Sequence, residues 1–261
     1  MRLATVAASL LATLALVSCS KSPTGRSQLM LMPAQQLEQM GDQSYQQMKQ
    51  ELTVSSDAAT NAYVRCVSDA LIATLPEPYR SADWQVTVFE NEAANAFALP
   101  GHNIGVYTGL LDVAENQHQL AAVIGHEIGH VIAEHSNERV SSNMMVGLGL
   151  QVGAIIADTQ FDKENAALLM AALGIGAQVG ILLPYSRTHE SESDRLGLDY
   201  MADAGFKLDE AAQLWRNMSA NSGTNPPEFL STHPAPSSRI DAINNYIPQL
   251  TVASSTPNCQ R

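Results

Sequence analysis

Basic residues are scarce in this sequence: 14 Lys and Arg stand against 26 Asp and Glu in 261 residues, a formal net charge of -12. No cluster of Lys or Arg is present to neutralise phosphates, which excludes nucleic acid as a partner. Aromatic residues are also few, at 5%. A core must therefore come mostly from Ala, Leu, Val, Ile and Met, and at 45% hydrophobic the chain can bury one large domain or two small ones. No apolar run comfortably matches a membrane span. Leu3–Val17 and the stretch 144–157 are short, and the stretch 166–183 is interrupted by Gln178. The last two read as packed core helices or a membrane-facing lid rather than a spanning hairpin. No internal repeat is present, and cysteine is limited to Cys19, Cys66 and Cys259.

The amino terminus carries one charge, Arg2, then the apolar run, then Leu16-Val17-Ser18-Cys19. That arrangement suits a secretory signal, and its end resembles the lipobox of bacterial lipoproteins. By this resemblance residues 1–18 are a signal peptide, Cys19 is the lipid anchor, and 19–33 comprise the lipidated cysteine and a polar tether. Ser20 then directs the chain to the outer membrane, facing the periplasm. The alternatives are an ordinary signal with an incidental cysteine, or an uncleaved anchor. In an oxidising compartment Cys66 and Cys259 can pair; otherwise Cys66 is a small core residue on the apolar face of a helix.

Along the rest of the chain, Ala34–Leu52 has near-helical apolar spacing, and Asp57 is placed to cap a second helix that ends at Pro76-Glu77-Pro78. Trp84–Phe89, Asn95–Leu99 and Ile104–Thr108 read as strands, the last two joined through Pro100-Gly101. From Asn116 the period becomes helical and runs to about Arg139. Glu190–Ala204 and Leu208–Met218 are further helical regions, and 254–261 reads as a loose tail.

The chemistry centres on His126-Glu127-Ile128-Gly129-His130. Residues four apart share a helix face, so both imidazoles can reach one ion while Glu127 addresses a water. Imidazole with carboxylate suits zinc, and Glu127 is then the general base. The longer pattern H-E-x-x-H-x-x-G-x-x-H is absent, since Ala133 and Ser136 stand at its glycine and histidine positions. His135 falls on a different helical face from His130 and reads as structural. A third ligand is sought in Ser186-Arg187-Thr188-His189-Glu190-Ser191-Glu192-Ser193-Asp194. There Glu190 and Asp194 lie four apart, one to bind metal and the other to orient a histidine. On spacing alone this acidic run reads equally as a solvated turn.

H-E-I-G-H, S-R-x-x-E-x-E-x-D-R-L-G and S-T-H-P-A-P-x-x-R-I, taken in order, resemble peptidase family M forty-eight. T-G-R-x-Q from Thr24, N-A-F-A-L-P-G from Asn95 and V-Y-T-G-L-L from Val106 are similar to it too. The likeness runs from Thr24 to Ile240. It implies an α+β, mostly helical, zincin-like (gluzincin) metallopeptidase domain over 34–250, with a small β-sheet beside the H-E-x-x-H helix and a flexible tail at 251–261. It further implies one zinc ion per chain on His126, His130 and Glu190, with Glu127 catalytic and Asp194 behind the ligands. His233 stands near the metal, either stabilising the oxyanion or closing the open position when the enzyme is idle. Substrate would lie along Asn95, Ala96 and Phe97. Unfolded or misassembled envelope polypeptides are the implied substrates, the lipid anchor the contact with membrane, and the outer-membrane assembly machinery a further partner. The rival reading is an assembly factor or chaperone whose peptidase is gated or vestigial.

Overall fold

The computed structural model describes residues 19–145, 147, 186–220, 229–230, 233 and 237–261. The chain divides into two compact units, Met1–Ala34 with Ser136–Leu183, and Gln35–His135 with Pro184–Arg261. The apolar stretches 144–157 and 166–183 lie outside the described residues, apart from Met144, Met145 and Gly147. Among the described residues no helix is long and apolar enough to cross a membrane.

In the first unit β1 (Cys19–Lys21) and β2 (Ser27–Leu29) pair antiparallel, with Cys19 opposite Leu29. Gly25, at φ 88°, makes the reversal, and the Arg26 N–H donates to Ser22 Oγ. The Arg26 guanidinium grips Glu138 with two bonds of 2.7 Å. The Leu31 N–H donates to Ser141 Oγ, and Asn137 bonds both main-chain groups of Met32. The stretch read as a polar tether is thus a hairpin and a strap bound to helical residues more than 100 positions away. Its polar side chains carry no apolar period because Lys21, Arg26 and Gln28 bond other polar side chains rather than fill a core.

The second unit opens with α1 (Ala34–Glu51), whose buried Tyr45 bonds Thr87 Oγ1 and the Ile104 carbonyl. Helix α2 (Ala58–Ile72) starts where the Asp57 carboxylate accepts from the Thr60 N–H, and it buries Tyr63, Val64, Val67 and Leu71. Strands β3 (Gln85–Phe89), β4 (Ala96–Leu99) and β5 (Asn103–Tyr107) form one sheet in the order β3-β5-β4. The β3–β5 pair is parallel and the β4–β5 pair antiparallel. All five residues of β5 are buried, as a central strand covered on both faces must be. Gly105 in β5 leaves room for the Phe97 ring, which would sit 2.1 Å from a Cβ there.

Helix α3 (Gln117–Ile132) begins where Asn116 Oδ1 accepts from the N–H groups of His118 and Gln119. It is buried almost throughout, between β4, α2 and the helices that follow. The apolar period predicts a helix continuing to about Arg139, but α3 stops at Ile132. Glu134 takes a left-handed conformation, φ 51°, and helix resumes over 135–145. No glycine or proline marks that break in the sequence, so the period reads straight through it.

Next come α4 (Arg187–Asp203), capped by Ser186 Oγ, then α5 (Asp209–Ala220) and α6 (Ser237–Tyr246). Helices α3 and α4 meet along a seam of small residues, Gly125 and Gly129 against Ser193 and Gly197. A Cβ on Gly197 would lie 2.9 Å from the backbone carbon of Gly125 and the amide nitrogen of His126. The neighbours are main chain, so the strain is relieved only by separating the helices. We expect Gly197→Ala to cost roughly 1–3 kcal/mol of stability by overpacking, read by denaturant unfolding, and to weaken metal uptake as Glu190 draws back.

The last residues, read from sequence as a loose tail, have no regular structure beyond Leu250 but are fastened at several points. The Ala253 N–H donates to the Ala202 carbonyl, the Cys259 N–H to Gln117 Oε1, and Arg261 Nη1 to the Leu111 carbonyl. Cys66 and Cys259 form a disulfide, with Cα atoms 5.7 Å apart.

Candidate metal centre and active site

The spacing of four on α3 brings His126 and His130 to one face, and α4 presents Glu190 and Asp194 to them across the small-residue seam. His233 arrives from the segment before α6. Its N–H donates to the Phe229 carbonyl, and its ring stacks on Phe229 with centroids 4.4 Å apart. His126, Glu127, His130, Glu190 and His233 are each at most 4% exposed. Polar groups so deeply buried need partners, and nearly every such atom here has one.

His126 Nδ1 lies 3.0 Å from Asp194 Oδ1, a carboxylate that accepts and leaves the ring proton on Nδ1. The lone pair of Nε2 therefore points the other way, 3.0 Å from His130 Nε2 and 3.2 Å from His233 Nδ1. Glu190 Oε1 is 3.4 Å from His130 Nε2 and 3.0 Å from His233 Nδ1. One donor atom from each of His126, His130, Glu190 and His233 falls within a span of 4.8 Å. Lone pairs gathered this closely repel one another unless a cation lies among them. Ligands about 2.0–2.1 Å from a tetrahedral zinc stand roughly 3.3 Å apart, which these separations match. The donor set therefore fits a metal ion of the zinc type.

Arg239, in α6, closes the far side. Its Nη1 donates to Glu190 Oε2 at 2.6 Å, its Nη2 to Asp194 Oδ1 at 2.7 Å, and its Nε to Asp194 Oδ2. The guanidinium lies 3.8 Å over the Trp215 ring. One planar cation thus holds two buried carboxylates in register, as a lysine's point charge would not. Burial pushes the Glu190 carboxyl up, but the adjoining His130 and His233 rings, together with His126 and the Arg239 guanidinium, bring it far below the carboxylate range. Asp194 is likewise held low against its burial, chiefly by Arg239. Burial holds His130 well below the usual imidazole value, which favours the neutral ring that a ligand needs.

Glu127 points from the same helix turn toward the sheet. Its Oε2 accepts from the Ala98 N–H at 3.2 Å, and its Oε1 has no hydrogen-bond partner among the described residues, lying 3.5 Å from His233 Nε2. Burial raises its pKa, and the facing His233 and His126 only partly offset this. Burial works the opposite way on His233, yet the Glu127 and Glu190 carboxylates prevail and raise it above the ordinary imidazole value.

Strand β4 is the sheet edge beside Glu127. The Tyr107 N–H donates to the Asn95 carbonyl, so alternation turns the main-chain groups of Asn95, Phe97 and Leu99 toward β5 and those of Ala96 and Ala98 outward. Of the three positions suggested from sequence for substrate, Ala96 turns its main-chain groups away from β5, at an edge where the residue is only 2% exposed. Asn95 and Phe97 are committed to the neighbouring strand, and Phe97 stacks on Phe89.

Two contributions were missed from sequence. Arg239 lies in the S-T-H-P-A-P-x-x-R-I motif without an assigned role, because nothing local in the sequence marks that arginine as buried. His135, read as facing away, has its Nδ1 2.9 Å from His130 Nδ1.

The Peptidase family M48 model matches residues 35–247. The mitochondrial metalloendopeptidase OMA1 of Bos taurus is 30% identical over 249 residues, covering 90% of this chain and 47% of that protein. The OMA1 of Schizosaccharomyces pombe is 32% identical over 202 residues, covering 77% and 57%. The beta-barrel assembly-enhancing protease of Escherichia coli is 27% identical over 221 residues, covering 81% and 44%. The chain spans about half the length of these curated relatives. The matched stretch takes in both helices of the ligand set, β4 and Arg239, and the chain belongs to Peptidase family M48.

Proposed function

We propose that this chain is a zinc-dependent endopeptidase, anchored by lipid at Cys19 to the bacterial outer membrane and facing the periplasm, that hydrolyses unfolded or misassembled envelope proteins. The observation that carries the reading is the four-atom donor set with Glu127 Oε1 beside it, an oxygen that accepts no hydrogen bond among the described residues. His126, His130 and Glu190 would hold the ion. When bound, zinc supplies Lewis acidity toward a peptide carbonyl and toward water.

The chain's own groups do the rest. Glu127 Oε1 takes the proton of the attacking water and returns it to the leaving amine, a task suited to a carboxylate whose pKa burial has raised. Asp194 and Arg239 keep His126 and Glu190 from turning. The outward main-chain groups of Ala96 and the outward carbonyl of Ala98, whose N–H is held by Glu127, would let an extended polypeptide add itself to the sheet once that edge is uncovered, so selection falls on main chain more than on side chains. That preference suits unfolded substrates. The disulfide fits an oxidising compartment. The envelope setting is supported by the lipobox and by the relative whose name refers to β-barrel assembly.

One observation favours the gated alternative, in which the chain assists outer-membrane protein assembly and cleaves only when released. His233 sits within the ligand set and near Glu127, closing the position a substrate carbonyl needs. The test is cleavage of casein by the full chain before and after stripping with a chelator. The expected result is activity lost with the metal and regained on adding about one zinc per chain. Tight zinc uptake with no cleavage under any condition would favour the gated reading, and no uptake at all would overturn both.

A further inference from the structure

The acidic run of α4 places three carboxylates in five residues, and each meets a different partner. Glu190 joins the donor set, Asp194 reaches His126, and Glu192 Oε2 lies 3.1 Å from His135 Nε2. His135 is completely buried and Glu192 is 5% exposed. The left-handed turn at Glu134 folds the chain back after α3, so His135 meets His130 Nδ1 to Nδ1 at 2.9 Å. Ser193 Oγ approaches the same nitrogen at 3.3 Å, and the His189 ring stacks on His135 with centroids 4.3 Å apart.

We propose that Glu192 and His135 form a relay that fixes the tautomer and orientation of His130, making both of them positioning residues for the metal centre. The reasoning follows the protons. A carboxylate at His135 Nε2 accepts, so the proton of His135 is on Nε2 and its Nδ1 carries a lone pair. That lone pair accepts the Nδ1–H of His130, and the Ser193 hydroxyl can donate to it as well. His130 is thereby left with a bare Nε2, the atom that faces His126 and Glu190. His126 reaches the same state in one step through Asp194, whereas His130 reaches it in two. The alternative tautomer of His130 would put a proton on Nε2 among the ligands and block the ion. A histidine that merely filled space would need no carboxylate at its far nitrogen.

The inference rests on the metal-centre reading above, and its test separates the two. Imidazole tautomers are read from long-range proton–nitrogen spectra of the metal-free full chain labelled at histidine. Zinc affinity is measured by chelator competition, and ligand geometry by the visible spectrum of the cobalt form. The expected results are Nδ1–H on His130 in the wild type, and zinc affinity lower by roughly 10–100-fold in His135→Phe, which keeps a ring but accepts nothing. Glu192→Gln, nearly isosteric, should weaken binding in the same direction and mix the tautomers of His130. The double variant should be little worse than the poorer single one, because both act on one path. Should His135→Phe not fold, Glu192→Gln and the wild-type spectrum decide the matter. Nε2–H on His130 in the wild type overturns the relay, as does folded Glu192→Gln with zinc affinity and cobalt spectrum unchanged. A wild type that shows Nδ1–H on His130 but takes up no zinc overturns the metal reading and leaves the relay standing.

Discussion

Glu127→Gln should lower kcat for casein cleavage by about 10²–10⁴ while the zinc content stays at that of the wild type. Glutamine has the shape of glutamate, and its amide oxygen can still accept from the Ala98 N–H, which is 3.2 Å from Oε2. Neither oxygen of Glu127 belongs to the four-atom donor set, so the ion keeps its ligands. What is lost is the ability to take a proton at Oε1, the oxygen without a hydrogen-bond partner among the described residues. Substrate contacts at the edge of β4 remain, so KM should move little and the loss should fall on kcat. The pH profile gives a second reading. A general base acts when ionised, so wild-type activity falls as pH drops through the pKa of Glu127. Burial holds that pKa above the ordinary carboxylate value, and the acid limb should therefore lie above it too. The residual activity of Glu127→Gln should lack that limb. Equal kcat in the two proteins would remove Glu127 from the chemistry, and loss of zinc in the variant would make it a ligand instead.

The parts of this site that were legible in the sequence are those fixed by local geometry. His126 and His130 share a face because a helix repeats at 3.6 residues, and Glu190 and Asp194 share one for the same reason. The hairpin of β4 and β5 was legible through Pro100-Gly101, where Gly101 has φ 87°. The cap at Asp57 stands where its side chain ends a loop and opens an apolar period.

What escaped depends on groups distant in the chain. Arg239 is buried only because two carboxylates from α4 wait for it, 45 and 49 positions away. His135 turns inward because Glu134 adopts a conformation rare outside glycine, which no periodicity registers. The hairpin β1–β2 is polar, and its hold on Glu138 and Ser141 bridges more than 100 residues. The small-residue seam was written in the sequence as Gly125, Gly129, Ser193 and Gly197. Its meaning needs both helices, because small side chains announce a close approach without saying to what. The same holds for Glu192, which spacing alone leaves as a solvated turn. Only its neighbour His135, brought round by the break in α3, gives that carboxylate a place inside.

Removing the disulfide should produce the largest stability change of any substitution outside the donor set. Cys66 and Cys259 close a loop of 193 positions. In the chain-entropy account a loop of that size restrains the unfolded state by about 5 kcal/mol, and measured losses for native bridges fall at roughly 2–5 kcal/mol. The tail that Cys259 holds also covers part of the core. Cys259 is itself 7% exposed, its N–H donates to Gln117 in the first turn of α3, and Arg261 reaches the Leu111 carbonyl. The double variant Cys66→Ala/Cys259→Ala should therefore unfold with a midpoint lower by roughly 5–15 °C, at 2–4 °C per kcal/mol for a domain of this size. Wild type treated with a reductant should fall to the same level, since the constraint and not the sulfur atoms is at stake. Zinc must be held equal throughout, because an ion that binds only the folded state raises every midpoint. Gln117 lies nine residues before His126, about 13 Å along the helix, so cleavage at 25 °C should survive in both reduced and substituted protein. A change below about 1 kcal/mol would mean that the hydrogen bonds of the tail hold it unaided. Loss of cleavage in a folded variant would mean that the start of α3 transmits the position of the tail to the metal centre.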